Sequence, residues 1–431
     1  MHRIAYNFRR IRQQGIATIV VKIFARSFSL LLGFTLLPLS VALHAIGYRR
    51  VTVFTDRIGH LALEPDCLLK EQALGIIPKQ RWFILAPPGR VANRHLLNLW
   101  KPHIHIHEGR ITCYILASMS HWGLMRHDIS HYILAANSPQ AAYGIYAHWG
   151  DRPPLLALPP EDIQWGARAL EQLGLPKNVW FVCVHAREGG FSPIDEELHV
   201  HRNGSVDATI PAMQEIIRRG GWVVRIGDPS MKPIPSVAQV IDYAHHPMKC
   251  ERLDIILCAQ ARFILGNTSG IALVSSAFGV PCALANMIPF SALGLSPRDV
   301  SIPKLLWSLK LSRYLTFQEI LSSPISNFIY ASQYQQSKIQ PIENLAEDIR
   351  MLALEMLNSL ELCKHQSRSA SNNLTVCFEF ELDNSHYGFG SAAKISQHFI
   401  ETYRELSNYP SPPPMPRCAN WPSLLPSISD S

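Results

Sequence analysis

A chain of 431 residues is long enough for two full cores, and a hydrophobic content of 47% excludes global disorder. The formal charge of +7 is local: residues 1–57 set nine basic residues (Arg3, Arg9, Arg10, Arg12, Lys22, Arg26, Arg49, Arg50 and Arg57) against Asp56, leaving the remainder at −1. A general nucleic-acid binder needs a basic face on its folded body and is disfavoured, whereas a leading segment that meets anionic lipid headgroups fits.

Within that leading segment, Ser27 to Tyr48 carries no formal charge and is mostly apolar, a length comparable to the ~20 residues that cross a bilayer. No small-residue cleavage site follows and Arg49-Arg50 comes next, which argues against a secretory signal. Gly33 and Pro38 interrupt the run. Three readings stay open: a helix or re-entrant hairpin lying in the interface, a spanning helix with its amino end inside, and a core helix. The nine cysteines are scattered without a Cys-x-x-Cys pair, which points to a reducing compartment and away from a disulfide framework.

In chain order, Arg50–Phe54 reads as a strand, Asp56–His60 as a turn and Leu61–Leu74 as a helix. Trp82–Ala86 is a buried strand, and Asn93 caps a short helix to Trp100. Residues 103–160 have weak periodicity, with Pro153-Pro154 and Pro159-Pro160 marking turns or a linker. A second alternating unit follows: helix 162–173, strand Val179–Val184, helix Ile210–Arg219 stopped by Gly220-Gly221, strand Trp222–Ile226, strand Val240–Tyr243 and helix 252–260. Arg262–Leu265 then leads as a strand into the turn Gly266-Asn267-Thr268-Ser269-Gly270 and a small-residue helix ending at Phe278-Gly279. Helical spacing returns at Leu345, Ile349, Leu352 and Met356, and a last helix is expected over Ala392–Leu406. Residues 365–376 read as a loop and the Pro-rich tail after Tyr409 as disordered. Strand–helix alternation with apolar strands implies parallel sheets covered on both faces, in two Rossmann-like halves joined near 155–165 and facing one another across a cleft.

No Gly-x-Gly-x-x-Gly, phosphate loop, Gly-x-Ser-x-Gly or strand-end Asp-x-Asp is present, so dehydrogenase, nucleoside triphosphatase, serine hydrolase and metal-bridged diphosphate readings lose ground. The turn 266–270 opens a helix, whose free N–H groups and dipole suit an anion, with Asn267, Thr268, Ser269 and Gly270 as the contacts. His185-x-Arg187 ends a strand, where an Arg binds phosphate oxygens as a fork; the alternative is a surface Arg. Arg225 ends the next strand, serving either the ligand or a structural partner such as Asp228. Asp242 and Tyr243 end the strand after it, as acceptor and stacking partner for a nucleoside or as a solvent-facing turn. Asp254 is either a ligand contact or a first-turn helix residue. His60 has the chemistry of an acceptor-side general base and equally that of a packed histidine. His103, His105 and His107 alternate on one strand face without a completing ligand set, and no metal or other cofactor is expected.

Several stretches together resemble a family of bacterial glycosyltransferases. They are Arg57-Ile58-Gly59-His60-Leu61, Gly220–Pro233, Ile241-Asp242-Tyr243-Ala244-His245, Asp254–Phe263, Thr268-Ser269-Gly270, Phe278-Gly279-Val280-Pro281, Ile302-Pro303-Lys304-Leu305 and Ile395–Phe399. The match covers about 50–320 and, weakly, the last helix. The resemblance implies a GT-B architecture with a nucleotide-sugar donor on the second domain, no obligatory metal, and Lys304 among the donor-binding residues. His185-x-Arg187 is similar to the strand-end His-x-Arg of fucosyltransferases, where the Arg contacts the donor diphosphate. Here Glu188-Gly189-Gly190 follows in place of further Arg or Asp residues, which departs from a guanosine-linked donor site.

The expected organisation is an α/β fold of GT-B type. Segment 1–49 associates with membrane, 50–160 is an acceptor-side domain, 161–325 a donor-binding domain, 326–408 packed helices and 409–431 a tail. The expected partners are a nucleotide-sugar donor, a glycan or glycolipid acceptor and a membrane surface at the cytoplasmic face of the inner membrane, with no nucleic acid. A sugar-nucleotide epimerase and a non-catalytic scaffold of polysaccharide assembly are the rival readings.

Overall fold

The computed structural model describes residues 16–134, 140–189, 193–366 and 382–408. The chain divides into two compact units, Met1–Ser130 and His131–Ser431.

The first unit begins with helices α1 (Ile16–Thr35) and α2 (Leu37–Ala45), with a 60° bend between them. Pro38 lies in the first turn of α2, the place where a missing N–H is harmless; inside a continuous helix its ring would clash with the carbonyl one turn back. Among the described residues no single helix is long and apolar enough to cross a membrane, and the bent pair qualifies only when taken together. The core-helix reading is not what forms. Among residues 21–45 of the pair, Ser29, Gly33 and Ser40 are buried, and Leu36 and Leu43 reach just the margin of the cluster around Phe83, Met119 and Met125.

Strand β1 (Tyr48–Val51) starts two residues before the expected one. It is followed by α3 (Ile58–Ala73), β2 (Arg81–Leu85), α4 (Arg94–Leu99), β3 (His105–His107), α5 (Arg110–Met119) and β4 (Arg126–His127). The strands form one parallel sheet in the order β3-β2-β1-β4. Asn93 caps α4 as read, its Oδ1 accepting the Leu96 N–H at 2.8 Å and so satisfying one of the free donors of the first turn.

The division between units falls at 130, ahead of the junction expected near 155–165. Helix α6 (Gln140–Trp149) therefore belongs to the second unit: Tyr143 donates to the Leu293 carbonyl at 3.0 Å and Gln140 to that of His386 at 3.1 Å. Its partners lie more than a hundred residues downstream, where local periodicity gives no hint of them.

The second unit continues with α7 (Pro160–Gln172), β5 (Phe181–His185), α8 (Pro193–His199), α9 (Ile210–Arg218), β6 (Trp222–Arg225), β7 (Val240–Asp242) and α10 (Glu251–Gln260). Then come β8 (Ile264–Gly266), α11 (Gly270–Ala277), β9 (Cys282–Met287) and β10 (Val300–Pro303). Gly220 stops α9 at φ +83°, a left-handed position open to glycine at little cost. An antiparallel sheet of β11 (Leu305–Ser308), β12 (Arg313–Tyr314) and β13 (Ile339–Ile342) was not legible in the sequence; α12 (Phe317–Leu321) and α13 (Ala331–Ser337) lie within it in chain order. Helix α14 (Ala346–Gln366) realises the Leu345–Met356 periodicity.

The single helix expected at 392–406 is broken into β14 (Lys394–Ile395), α15 (Gln397–Thr402) and α16 (Arg404–Asn408), because residues 394–395 pair with β10 and Ser396 caps α15. All but the first two residues of the 365–376 segment, and the whole Pro-rich tail, lie outside the described residues.

The large sheet is parallel throughout, in the order β14-β10-β9-β8-β5-β6-β7. Val182 and Val184 of β5 and Ile264 and Leu265 of β8 are fully buried, each such side chain stabilising the fold by roughly 1.5–3 kcal/mol. Two consequences place the site. All carboxyl ends emerge at one edge of the sheet. The chain also builds outward from β5 to β6 and β7, then returns to the other side of β5 with β8, so the strand order reverses between β5 and β8. Crevices for ligands form at such a switch point.

Candidate functional site

At the switch point His185, the last residue of β5, is paired in register with Gly266, the last of β8. A small opening here is lined by His185, Gly204, Thr209, Asn267 and Asn286 among others. His185 is buried and its Nδ1 lies 3.0 Å from the Ile226 carbonyl. A carbonyl only accepts, so Nδ1 carries the proton and Nε2 keeps its lone pair. Burial, assisted by the charges of Arg225, Arg187 and Lys249, lowers its pKa to about 4. The ring is neutral at pH 7.

Arg187, two residues beyond β5, donates through Nη1 to the His199 carbonyl at 3.2 Å and to Asn203 Oδ1. Its backbone N–H bonds Asn267 Oδ1 at 3.1 Å, and Asn267 Nδ2 donates to the Arg202 carbonyl at 3.1 Å. Asn267 is thus a brace that fixes the 200–204 loop beneath the two strand ends. Lys304, just past β10 and almost fully buried, donates through Nζ to the Asn203 carbonyl at 2.6 Å.

The loop also supplies a residue that sequence reasoning missed. Arg202 donates through Nη2 to the Thr268 carbonyl at 2.6 Å, which sets a guanidinium on the 266–270 turn. Thr268 is half-buried, and Ser269 is the N-cap of α11 with extended dihedrals and no capping bond from its side chain. Gly270 opens the helix, whose first-turn N–H groups are the free donors of such an end.

His201 records the local potential. It is 1% exposed, both ring nitrogens lack a protein hydrogen bond, and its pKa is pushed down to about 2. Burial is the largest cause, and the charges that act on it, from Arg202, His199, Lys304 and Arg187, all push the same way. Arg187, Arg202 and Lys304 reach this loop together with the carboxylates of Glu196 and Glu343, which accept from Asn203 Nδ2 and the Ser205 N–H. Asn203-Gly204 after a basic residue is a turn signal that, placed beside the strand-end Arg187, marks the loop in the sequence.

The expected contacts at the ends of β6 and β7 form a different structure. Arg225 is completely buried, with Nη1 on Asp242 Oδ1 at 3.1 Å and Nη2 on Glu188 Oε2 at 3.4 Å and on the Lys232 carbonyl at 2.9 Å. Its partners are thus Asp242 and Glu188, not Asp228, whose Oδ1 instead accepts the Ser230 N–H of its own turn at 2.9 Å. The other oxygen of Asp242 accepts from the Ile234 N–H at 3.2 Å and lies 2.9 Å from His245 Nδ1. Tyr243 is fully buried, its hydroxyl bonded to both the carbonyl and the N–H of Cys250, so its ring has no open face for a base. Asp254 pairs with Lys249 Nζ at 2.8 Å in the first turn of α10. These five residues are engaged with protein partners at the sheet edge away from the switch point.

In the first unit, His60 lies in the first turn of α3. Its Nδ1 is hydrogen-bonded to Glu64 one turn on, its ring meets Phe54 edge-on at 5.0 Å, and Nε2 has no partner among the described residues. Glu64 is 1% exposed and burial raises its pKa, against the lowering effect of His60. A carboxylate that orients one imidazole nitrogen and leaves the other free is the arrangement of an assisted general base. Glu64 was not read from the sequence; its i,i+4 spacing from His60 is the signal. Among the described residues no cluster of three or more His, Cys, Asp and Glu side chains is placed to hold a metal ion. His105 stacks on Tyr48 and His107 meets Phe83 edge-on.

No family model matches the chain, and no curated protein matches it by sequence. In structure it is similar to a glycosyl transferase family 9 protein from Veillonella parvula, at 13% identity and a TM-score of 0.32 over 55% of this chain and 80% of that one. It is also similar to the ADP-heptose LPS heptosyltransferase II of E. coli, at 14% and 0.37 over 74% and 99%. A third is the iron-containing dodecameric glycosyltransferase TibC of enterotoxigenic E. coli, at 12% and 0.37 over 75% and 77%. Likenesses this loose carry no function; the site must.

Proposed function

We propose that the chain is a glycosyltransferase of GT-B type that moves a sugar from a nucleotide-sugar donor to a surface polysaccharide or lipopolysaccharide-type acceptor. One observation carries the reading. At the switch point of a parallel sheet, Arg187, Arg202 and Lys304 are gathered by the 200–204 loop next to the N-terminal turn of α11 at Thr268, Ser269 and Gly270. A donor diphosphate is the ligand whose chemistry matches guanidinium forks and helix N–H groups together.

In the reaction the acceptor hydroxyl oxygen bonds to the anomeric carbon, the bond from that carbon to the diphosphate oxygen breaks, and the nucleoside diphosphate leaves. Negative charge grows on the leaving group, where preorganised cationic donors lower the barrier. His60, oriented by Glu64, takes the hydroxyl proton at Nε2. The reading routes no step through a metal.

The test is calorimetric titration with a panel of nucleoside-diphosphate sugars, followed by product analysis by mass spectrometry with and without a glycan acceptor. Charge-assisted hydrogen bonds contribute roughly 1.5–3 kcal/mol, so Arg187→Ala should weaken the binding donor about 10- to 100-fold, as should Arg202→Ala. Unchanged affinity in both variants removes the donor site. A donor sugar isomerised without acceptor favours the epimerase instead.

A further inference from the structure

The surface of the first unit is inverted along its leading helices. Helix α1 turns Phe24 (72% exposed), Phe28, Leu31 and Phe34 outward, while Ser29 and Gly33 face the protein. The inward seam is polar and tightly fitted. Ser29 Oγ lies 2.6 Å from Ser118 Oγ and 2.7 Å from His121 Nε2, and Ser40 of α2 donates to the Met119 carbonyl at 3.2 Å. A Cβ at Gly33 would come within 2.4 Å of the Ser118 carbonyl oxygen, so the helix backbone lies directly against α5.

Helix α5 extends the apolar face from outside the leading segment. Ile111 is 77% exposed, Trp122 is half-exposed just beyond the helix, and Tyr114 stacks on Phe28 at 6.3 Å while donating to the Ala25 carbonyl. A helix bordering water normally buries its apolar stripe and exposes its polar one. Here α1 does the reverse, α2 exposes Leu39 and Val41 while Leu43 reaches the Phe83 cluster, and exposed apolar side chains lie on all three helices.

We infer that this three-helix face is a foot that inserts into one leaflet of an anionic bilayer, without crossing it. Charge selects the lipid: Lys22 and Arg26 lie on α1, Arg110 opens α5, and residues 1–57 balance at +8. Depth follows from length. The uncharged part of α1, Ser27–Thr35, spans about 14 Å at 1.5 Å per residue, roughly half of a ~30 Å hydrocarbon core. A crossing would also have to detach the Ser29–Ser118 and Ser40–Met119 bonds or carry α5 with it, leaving polar groups unpaired in hydrocarbon. An aromatic such as Trp122 at the rim suits the headgroup level.

The test uses the full chain and vesicles of phosphatidylcholine with one part in four phosphatidylglycerol, against phosphatidylcholine alone. Co-sedimentation should be at least tenfold stronger with the anionic vesicles and should fall at least tenfold in the double variant Phe24→Glu, Phe28→Glu. Acyl chains brominated near the headgroup should quench tryptophan fluorescence in the otherwise native chain, and Trp122→Phe should remove most of that quenching; this arm needs no disruptive variant. Absence of vesicle binding overturns the proposal. So does a stable dimer in lipid-free solution that the same double variant dissociates, which would make a second copy the occupant. Protection of the amino terminus from added protease by sealed vesicles would show a span and likewise overturn it. Vesicle binding is read without donor or acceptor, so its failure and that of the transferase reading are separate.

Discussion

Arg187 and Arg225 look alike in the sequence: each follows or ends a buried strand, and the two strands, β5 and β6, are neighbours in one sheet. Their environments differ completely. Arg225 is wholly buried between Asp242 and Glu188 and is held by the Lys232 carbonyl as well. Arg187 is half-buried and donates to the His199 carbonyl and to Asn203 Oδ1. Topology explains the difference. Strands β6 and β7 continue outward on one side of β5, so their connections fold back over their own ends and bring carboxylates with them. Between β5 and β8 the connections diverge, and the 200–204 loop is braced at the strand ends by Asn267. A strand-end arginine borders the candidate site where the order reverses and is an internal clamp where it does not.

The comparison breaks hardest at Arg225. Replacing it with Ala leaves two carboxylates facing a buried void, and removal of one partner from such a cluster typically costs ~3–5 kcal/mol. Urea denaturation should show a loss of that size. A variant of normal stability whose donor affinity alone has dropped would put Arg225 in the ligand site and undo the distinction.

A smaller effect comes from proton linkage at the switch point. The folded protein holds His185 at a pKa of about 4, mainly through burial, whereas an unfolded chain titrates near 6.5. Below 6.5 the unfolded chain therefore binds a proton that the folded one refuses. The stability tied to this neutral ring is fully present above about pH 6.5 and is lost as pH falls towards 4, to the extent of roughly 2–3 kcal/mol. His201, lowered further, acts with the same sign. Denaturation midpoints followed from pH 7 to 4.5 should fall, and His185→Gln, which can keep a donor to the Ile226 carbonyl, should flatten part of that slope. An unaltered slope would mean that the ring is not held neutral.

Much of this fold was legible because its signals are local. Asn93 caps α4, Gly220 ends α9, and the apolar runs at 181–184 and 222–224 became strands of a parallel sheet. The candidate site was legible where the backbone alone brings residues together, at His185-x-Arg187 and at 266–270. It was not legible where a side chain is defined by what folds over it. The partners of Arg225 arrive from Glu188 and the Lys232 segment, and Tyr243 is closed off by Cys250. Arg202 and His201 lie in a short 3₁₀ turn with no periodicity, and Asn267 brings that turn to the strand ends from 65 positions away. The break in the last helix has the same origin, since residues 394–395 are claimed by pairing with β10.

The gentlest test of the contrast lies at Asp254. Its pairing with Lys249 is partly open to water, each side chain being 23% exposed, and pairs of that kind contribute about 0–1 kcal/mol. Asp254→Asn keeps the shape and an acceptor oxygen, and a first-turn carboxylate adds a few tenths of a kcal/mol through the helix dipole. The expected outcome is therefore a stability change of at most about 1 kcal/mol, partly screened by salt, together with an unchanged donor dissociation constant by calorimetry. A fall in donor affinity of tenfold or more would return this carboxylate, and with it the β7 edge of the sheet, to the binding surface. The division drawn between Arg187 and Arg225 would then have to be redrawn around both.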